Sequence, residues 1–170
     1  MTLRLVPPKD EAAAYSVALR LLNYRFRSEG ELRRRLREKE FDAEVIDGTI
    51  EKLRREGWID DARFAAHYAL SLLRKKKGRR RIESDLRELG VDQAVARQAI
   101  AEVGEELPED AAIDALLAKK AGSLERRLGP AFLDDEAARK KLAAYLFSQG
   151  YDAPAVFSAL DRLRRSRKTN

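Results

Sequence analysis

SEGELRRRLREKEFDAEVIDGTIEKL, residues 28–53, lies over GRRRIESDLRELGVDQAVARQAIAEV, residues 78–103, without a gap at an offset of fifty. Leu32 falls on Ile82, Leu36 on Leu86, Phe41 on Val91, Asp42 on Asp92, Val45 on Val95, Ile50 on Ile100 and Leu53 on Val103. KLAAYLFSQGYDAPAVFSALDRL, from Lys141, joins the same columns at a further offset of sixty, through Leu142, Leu146, Tyr151, Asp152, Ala155, Leu160 and Leu163. What recurs is the apolar pattern plus one aspartate, while the other surface positions differ. Packing restricts core columns and leaves the surface free, so this is the mark of a repeated structural unit. The apolar residues sit three and four apart, a helical period, and no convincing alternating strand is present.

Each unit reads as two helices joined tightly and preceded by a third. Gly90 and Gly150 suit the left-handed position that ends a helix. Asp92 and Asp152 then cap the next helix by accepting its free amide N–H groups. The first unit has Glu40 where the glycine belongs, which predicts a strained or different cap. Ser28-Glu29-Gly30-Glu31 has the form of a capping box. First helices are expected over Glu11 to Arg25, Asp60 to Lys76 and Asp110 to Ala121. The third unit carries a surplus of about ten residues within AGSLERRLGPAFLDDE, read as a broken helix turning at Gly129-Pro130. The prolines, at positions 7, 8, 108, 130 and 154, fit helix ends and first turns. The expectation is an all-α fold of three tandem three-helix modules, 1–57, 58–104 and 105–170, forming an elongated body. A 12-residue helix is about 18 Å long, so three units end to end reach roughly 60 Å. EVGEELPED, 102–110, between the second and third units, lies in a stretch, 101–118, without lysine or arginine, and reads as an acidic hinge. DRLRRSRKTN, 161–170, reads as a frayed basic tail.

Composition narrows the function. The chain has 170 residues, 44% hydrophobic and 38% charged, with net charge +6 and no cysteine. That is enough apolar material for a core, spread over modules with much surface. Disulfides, thiolate metal sites and a cysteine nucleophile are excluded. The opening MTLRLVPPKDE lacks the apolar run of a secretory signal, and no stretch approaches the roughly 20 apolar residues of a membrane span, so a cytoplasmic monomer is expected. His67 is the one histidine. Asp60-Asp61 and Asp134-Asp135 are adjacent pairs that diverge by about 100° on a helix and fit caps better than a shared ion. No phosphate loop or catalytic motif is present, so neither an enzyme nor a cofactor is expected.

Charge is the remaining signal. LRKKKGRRRI, residues 73–82, carries seven cations in ten residues. A solvated tether and a phosphate-facing surface both account for it. Cations at a helix N-terminus repel the helix dipole until an anion arrives, which favours an anionic partner for Lys75, Lys76, Lys77, Arg79, Arg80 and Arg81. Arg33, Arg34 and Arg37 occupy the matching helix of the first unit, with Arg34 in reach of Glu38, and Arg139 and Lys140 that of the third. Recurrence near the start of each middle helix suggests a basic stripe along the body. In NYRFRS, Tyr24 and Phe26 alternate with arginines, a pattern for stacking on bases, but the expectation is that they close the base of the first unit. Trp58 reads as packing.

Three stretches resemble the bacterial RecX regulatory proteins: ALRLL…RSEGELRRRL (18–36), WIDDARFAAHYALSLLRKKKGRRRIESDLRELGVD (58–92), and more loosely the third repeat. The family often has an aromatic or small residue and a proline around the central glycine, where this chain has Lys77-Gly78-Arg79. The resemblance implies tandem three-helix units and a non-enzymatic modulator of the RecA recombinase in homologous recombination, DNA repair and the SOS response. It implies binding in the groove of the RecA–single-stranded DNA filament, restraining ATP hydrolysis, strand exchange and coprotease function. A direct DNA-binding helical protein and a helical-repeat scaffold are the alternatives.

Overall fold

The computed structural model describes residues 10–168, and over these the secondary structure is entirely helical. Pro7, Pro8, the opening segment and the last two residues of the basic tail lie outside the described residues. The helices are α1 (Glu11–Tyr24), α2 (Glu29–Glu38), α3 (Ala43–Arg55), α4 (Asp61–Arg74), α5 (Arg79–Glu88), α6 (Gln93–Gly104), α7 (Glu109–Leu128), a 3-10 turn (Pro130–Leu133), α8 (Glu136–Gln149) and α9 (Ala153–Lys168).

The chain gathers into two compact units, residues 1–65 with 86–96, and 66–85 with 97–170. In the first, α1 packs on α2 and α3. Ala14 and Ala18 bring α1 close, and Leu32, Leu36, Ile46, Ile50, Leu53 and Ile59 fill the space. Burying each of these leucines and isoleucines contributes about 1.5–3 kcal/mol, which makes this stripe the main source of the unit's stability. In the second unit α7, α8 and α9 pack together around Ile113, Leu117, Leu124, Phe132, Leu142, Leu146, Tyr151 and Val156. Ile113, Leu117, Ala121 and Leu124 continue one face along α7, so the helix runs on to Leu128, beyond the expected end at Ala121. It stops at Gly129 (φ 87°), and Pro130 opens the 3-10 turn.

The joints follow local rules. Gly90 and Gly150 adopt φ of 80° and 94°. Asp92 Oδ1 accepts from Ala94 and Val95 N–H (2.8 and 3.3 Å), and Asp152 Oδ1 from Ala155 N–H (2.9 Å). Asp42 makes no such bond. Glu40 holds φ 60°, so the first joint keeps the glycine geometry in a residue that resists it.

Ser28 caps α2 by accepting from Glu31 N–H at 3.1 Å. The capping box stays half made, because the Glu31 carboxylate turns inward to Arg27 and Arg25 instead of back to Ser28. Arg34 does not meet Glu38. Its guanidinium donates to the Glu88 carbonyl at 3.2 Å, and Arg35 takes Glu38 at 2.8 Å. Tyr24 and Phe26 do not close the base of the first unit, being 85% and 61% exposed. Trp58 is likewise exposed, its indole N–H donating to Glu56. The basic tail is helical to Lys168 rather than frayed. Arg162 clamps Asp110 and Asp114 at 3.0 and 2.9 Å, and Arg167 meets Glu125 at 2.6 Å.

Candidate functional site

The basic stretch is held in place along its length, which removes the tether reading. Past the end of α4, Lys76 N–H donates to Leu73 and Lys77 N–H to Leu72, closing a left-handed turn with Lys76 at φ 58°. That conformation costs a non-glycine residue about 1–2 kcal/mol, so something must hold it. The turn between α8 and α9 does. Tyr151 donates its hydroxyl to the Lys76 carbonyl (2.9 Å), and Lys77 Nζ donates to Gln149 Oε1 (2.7 Å). Gly78 N–H donates to the Gln149 carbonyl (2.8 Å) and Arg80 N–H to that of Gly150 (3.2 Å). Burial, first, and the Glu109 charge push the Tyr151 phenol up to about 12.

This geometry corrects the helix N-terminus argument. Two of the amides an anion needs are already bonded to carbonyls. The repulsion at the start of α5 is answered from within the chain by Glu109 at the start of α7. Burial raises the Glu109 carboxyl, while the Arg79 guanidinium and backbone N–H work against that rise. An incoming anion therefore meets side chains rather than the helix end.

Those side chains divide clearly. Lys75, Lys76 and Arg80 are exposed and have no ion pair among the described residues. Arg79 faces Glu109, and Arg81 pairs with Asp85 at 2.9 Å while staying 58% exposed. Lys77 is half-buried on Gln149. The structure brings these six cations into one turn.

The other candidate cations, Arg37 apart, are engaged within the protein. Arg33 donates to Glu29 Oε1 (3.0 Å) and to Asp47, and Glu29 also takes Arg54. Burial works to raise the Glu29 carboxyl, but hydrogen bonds from Arg54 and Arg33 outweigh it and hold it below the usual carboxylate range. Arg37 is exposed. Arg139 donates to the Leu133 carbonyl (2.8 Å) and to that of Asp134 (3.2 Å), closing the break before α8. Lys140 pairs with Glu136 at 2.7 Å.

Sequence reasoning missed the partners of these groups. Glu109 and Asp110, in the stretch read as an acidic hinge, and Asp114 just beyond it receive Arg79 and Arg162. The signal was that stretch's lack of cations beside arginine-rich segments elsewhere. Reasoning also missed the pairing of Glu31, 2% exposed between Arg25 and Arg27, because the capping-box reading claimed its carboxylate although Arg27 stands at the i, i+4 spacing. No group of three or more His, Asp or Glu among the described residues fits a metal ion, and no described helix is long and apolar enough to cross a membrane.

Within the second compact unit, the α4–α5 turn is held by the α8–α9 turn and displays cations that make no ion pair among the described residues. The models of the first and second three-helix domains of RecX match residues 14–53 and 60–100. The chain is 31% identical to "Regulatory protein RecX" of Chlorobium phaeobacteroides over 92% of its own length and 97% of the relative's. It is 32% identical to that of Amycolatopsis mediterranei over 91% and 86%. It superposes on the crystal structure of RecX from Lactobacillus salivarius with a TM-score of 0.78 at 22% identity, covering 91% of this chain and 97% of that one. The chain belongs to the RecX family of regulatory proteins.

Proposed function

We propose that this protein is a non-enzymatic regulator of the RecA recombinase, acting in the cytoplasm as a monomer of three modules, 1–57, 58–104 and 105–170. It binds the RecA–single-stranded DNA filament in its groove and restrains ATP hydrolysis, strand exchange and coprotease activity. The observation that carries this reading is the α4–α5 turn. It presents Lys75, Lys76 and Arg80 unpaired on a backbone fixed by Tyr151 and Gln149, which suits a surface made to meet acidic side chains or phosphates. Preorganised cations lose less freedom on binding than cations on a loose loop. Arg79, Arg81 and Lys77 flank them, and Arg33, Arg34, Arg37, Arg139 and Lys140 follow as secondary contacts.

The test is recombinase ATPase on single-stranded DNA with the wild-type chain and with Arg79, Arg80 and Arg81 changed to glutamate. The expected result is lower turnover with wild type and recovery with the triple variant. Unchanged turnover with the wild-type chain overturns the proposal. Direct binding of single-stranded DNA is a second reading, favoured by the exposure of Tyr24 and Phe26 beside Arg25 and by the Arg63 guanidinium 5.7 Å from the Phe26 ring centroid. It requires tight, steeply salt-dependent binding to DNA without recombinase.

A further inference from the structure

A hollow of about 350 Å³ opens beside the cations of the α4–α5 turn, between Leu73, Lys76, Leu107, Pro108, Ala112 and Tyr151. We propose that it seats one large apolar side chain of an acidic peptide segment belonging to the protein partner, with the flanking carboxylates of that segment on Arg74, Lys75 and Lys76. This deepens the reading that the chain binds a protein filament, and rests on it.

Three observations fix the chemistry of the occupant. The first is the lining. Leu73, Leu107, Pro108 and Ala112 are aliphatic, and the one aromatic, Tyr151, is 2% exposed with its hydroxyl committed to Lys76. An unpaired nucleic acid base stacks on a ring or a guanidinium face; no open ring lines this hollow, and its one guanidinium, that of Arg74, stands at the exposed rim rather than in the apolar wall. An aliphatic or aromatic side chain needs only apolar walls and room, and the volume lies within the range of ordinary ligand pockets.

The second observation is the rim. Arg74 and Lys76 line the hollow, and they and the intervening Lys75 are exposed and make no ion pair among the described residues. Glu109 is the one carboxylate in the lining, and the Arg79 guanidinium and backbone N–H face it, so it does little to repel an acidic segment. An apolar seat rimmed by Arg74 and Lys76, with Lys75 next to both in the chain, is complementary to an apolar residue set among aspartates and glutamates.

The third observation is rigidity. One rim residue, Lys76, is held at φ 58° by Tyr151 and by the hydrogen bonds of Lys77 and Gly78 to Gln149. Lys76 therefore contributes both a charge to the rim and a fixed point to the wall.

The probe is a fluorescein-labelled dodecapeptide of aspartate and glutamate with Leu-Phe at its centre, followed by fluorescence anisotropy against the full chain. Replacing Leu-Phe by Gly-Gly is expected to weaken binding at least tenfold. Ala112→Trp, which fills the hollow, and Arg74→Glu with Lys76→Glu, which reverses the rim, are each expected to do the same. The peptide comparison uses the wild-type chain, so it stands even if a variant misfolds. Equal binding of the Gly-Gly peptide overturns the proposal, because charge alone then accounts for the contact. So does an Ala112→Trp chain with wild-type circular dichroism and undiminished peptide binding. Loss of oligo(dT) binding in that variant with the peptide unaffected assigns the hollow to nucleic acid and also overturns it. Failure here with recombinase ATPase still restrained leaves the filament reading standing. Peptide binding with ATPase unchanged removes the filament reading and keeps the seat.

Discussion

Glu40 and Gly90 occupy the same place in two copies of one joint. Both are left-handed, at φ 60° and 80°, but only glycine adopts that conformation without a steric cost. Glu40→Gly should therefore raise stability by about 1 kcal/mol, less what the glutamate side chain contributes, read as a higher urea midpoint at unchanged slope. Glu31 poses the opposite problem. Its carboxylate is buried with Arg27, itself 9% exposed, and one of its oxygens, Oε2, has no hydrogen-bond partner. Removing one member of a buried pair strands the other, so Glu31→Ala should cost about 3 kcal/mol. Replacing Glu31 and Arg27 together by leucine and methionine should recover most of that loss, and the same urea titration decides. Tyr151 supplies a pH signature. Its folded phenol titrates near 12, above the ordinary value of 10.0, chiefly through burial. The neutral form is the one the fold favours, so this stabilisation is complete below pH 10 and is lost as pH rises from about 10 through 12. The Glu56 carboxylate also raises the Tyr15 phenol, so phenolate absorbance should show more than one late component, and Tyr151→Phe should delete the one near 12 and flatten the alkaline fall in stability.

The elements meet through glycines whose missing side chains matter more than their backbone freedom. A Cβ on Gly78 would overlap the Gly150 carbonyl, and one on Gly30 would stand 2.6 Å from Gly90 Cα. At both places the start of a middle helix touches the turn of the next repeat, and Ser28 adds a hydrogen bond to the Leu89 carbonyl. Gly78→Ala and Gly30→Ala should each cost about 1–3 kcal/mol by overpacking. Gly122 lies inside α7 with nothing within 4 Å of its would-be Cβ, so Gly122→Ala should instead gain about 1 kcal/mol. Opposite signs at glycines of similar sequence context are the check, measured by thermal melts. These joints also mark how far the sequence could be read. The Gly-x-Asp pattern exposed two of the three helix-to-helix turns, and three- and four-residue spacing located the helices. The extension of α7 was also legible, since Ile113, Leu117, Ala121 and Leu124 keep the period up to the turn expected at Gly129-Pro130. The bond from Tyr151 to Lys76 was out of reach. It joins residues 75 apart, and only the packed fold selects one carbonyl among many.

For the molecule as a whole, net charge is a poor guide to where an anion can bind. The excess is +6, but 35 lysines and arginines face 29 aspartates and glutamates, so position decides which cations remain available. Arg33 spends its charge on Glu29 and Asp47, Arg34 donates to a helix-end carbonyl, and Arg162 answers Asp110 and Asp114. Lys75, Lys76 and Arg80 spend theirs on nothing described. Each phosphate contact on a single strand contributes about 0.7 to the slope of log affinity against log salt. If these three reach phosphate in the filament, changing them to glutamine should lower that slope by about 2. Changing Arg33, Arg34 and Arg37 to glutamine should lower it by about 0.7 or less, because two of the three are already engaged. The measurement is filament binding across a salt series for wild type and both triple variants. Equal slopes for the two variants would show that pairing within the free protein does not determine which cations meet the partner.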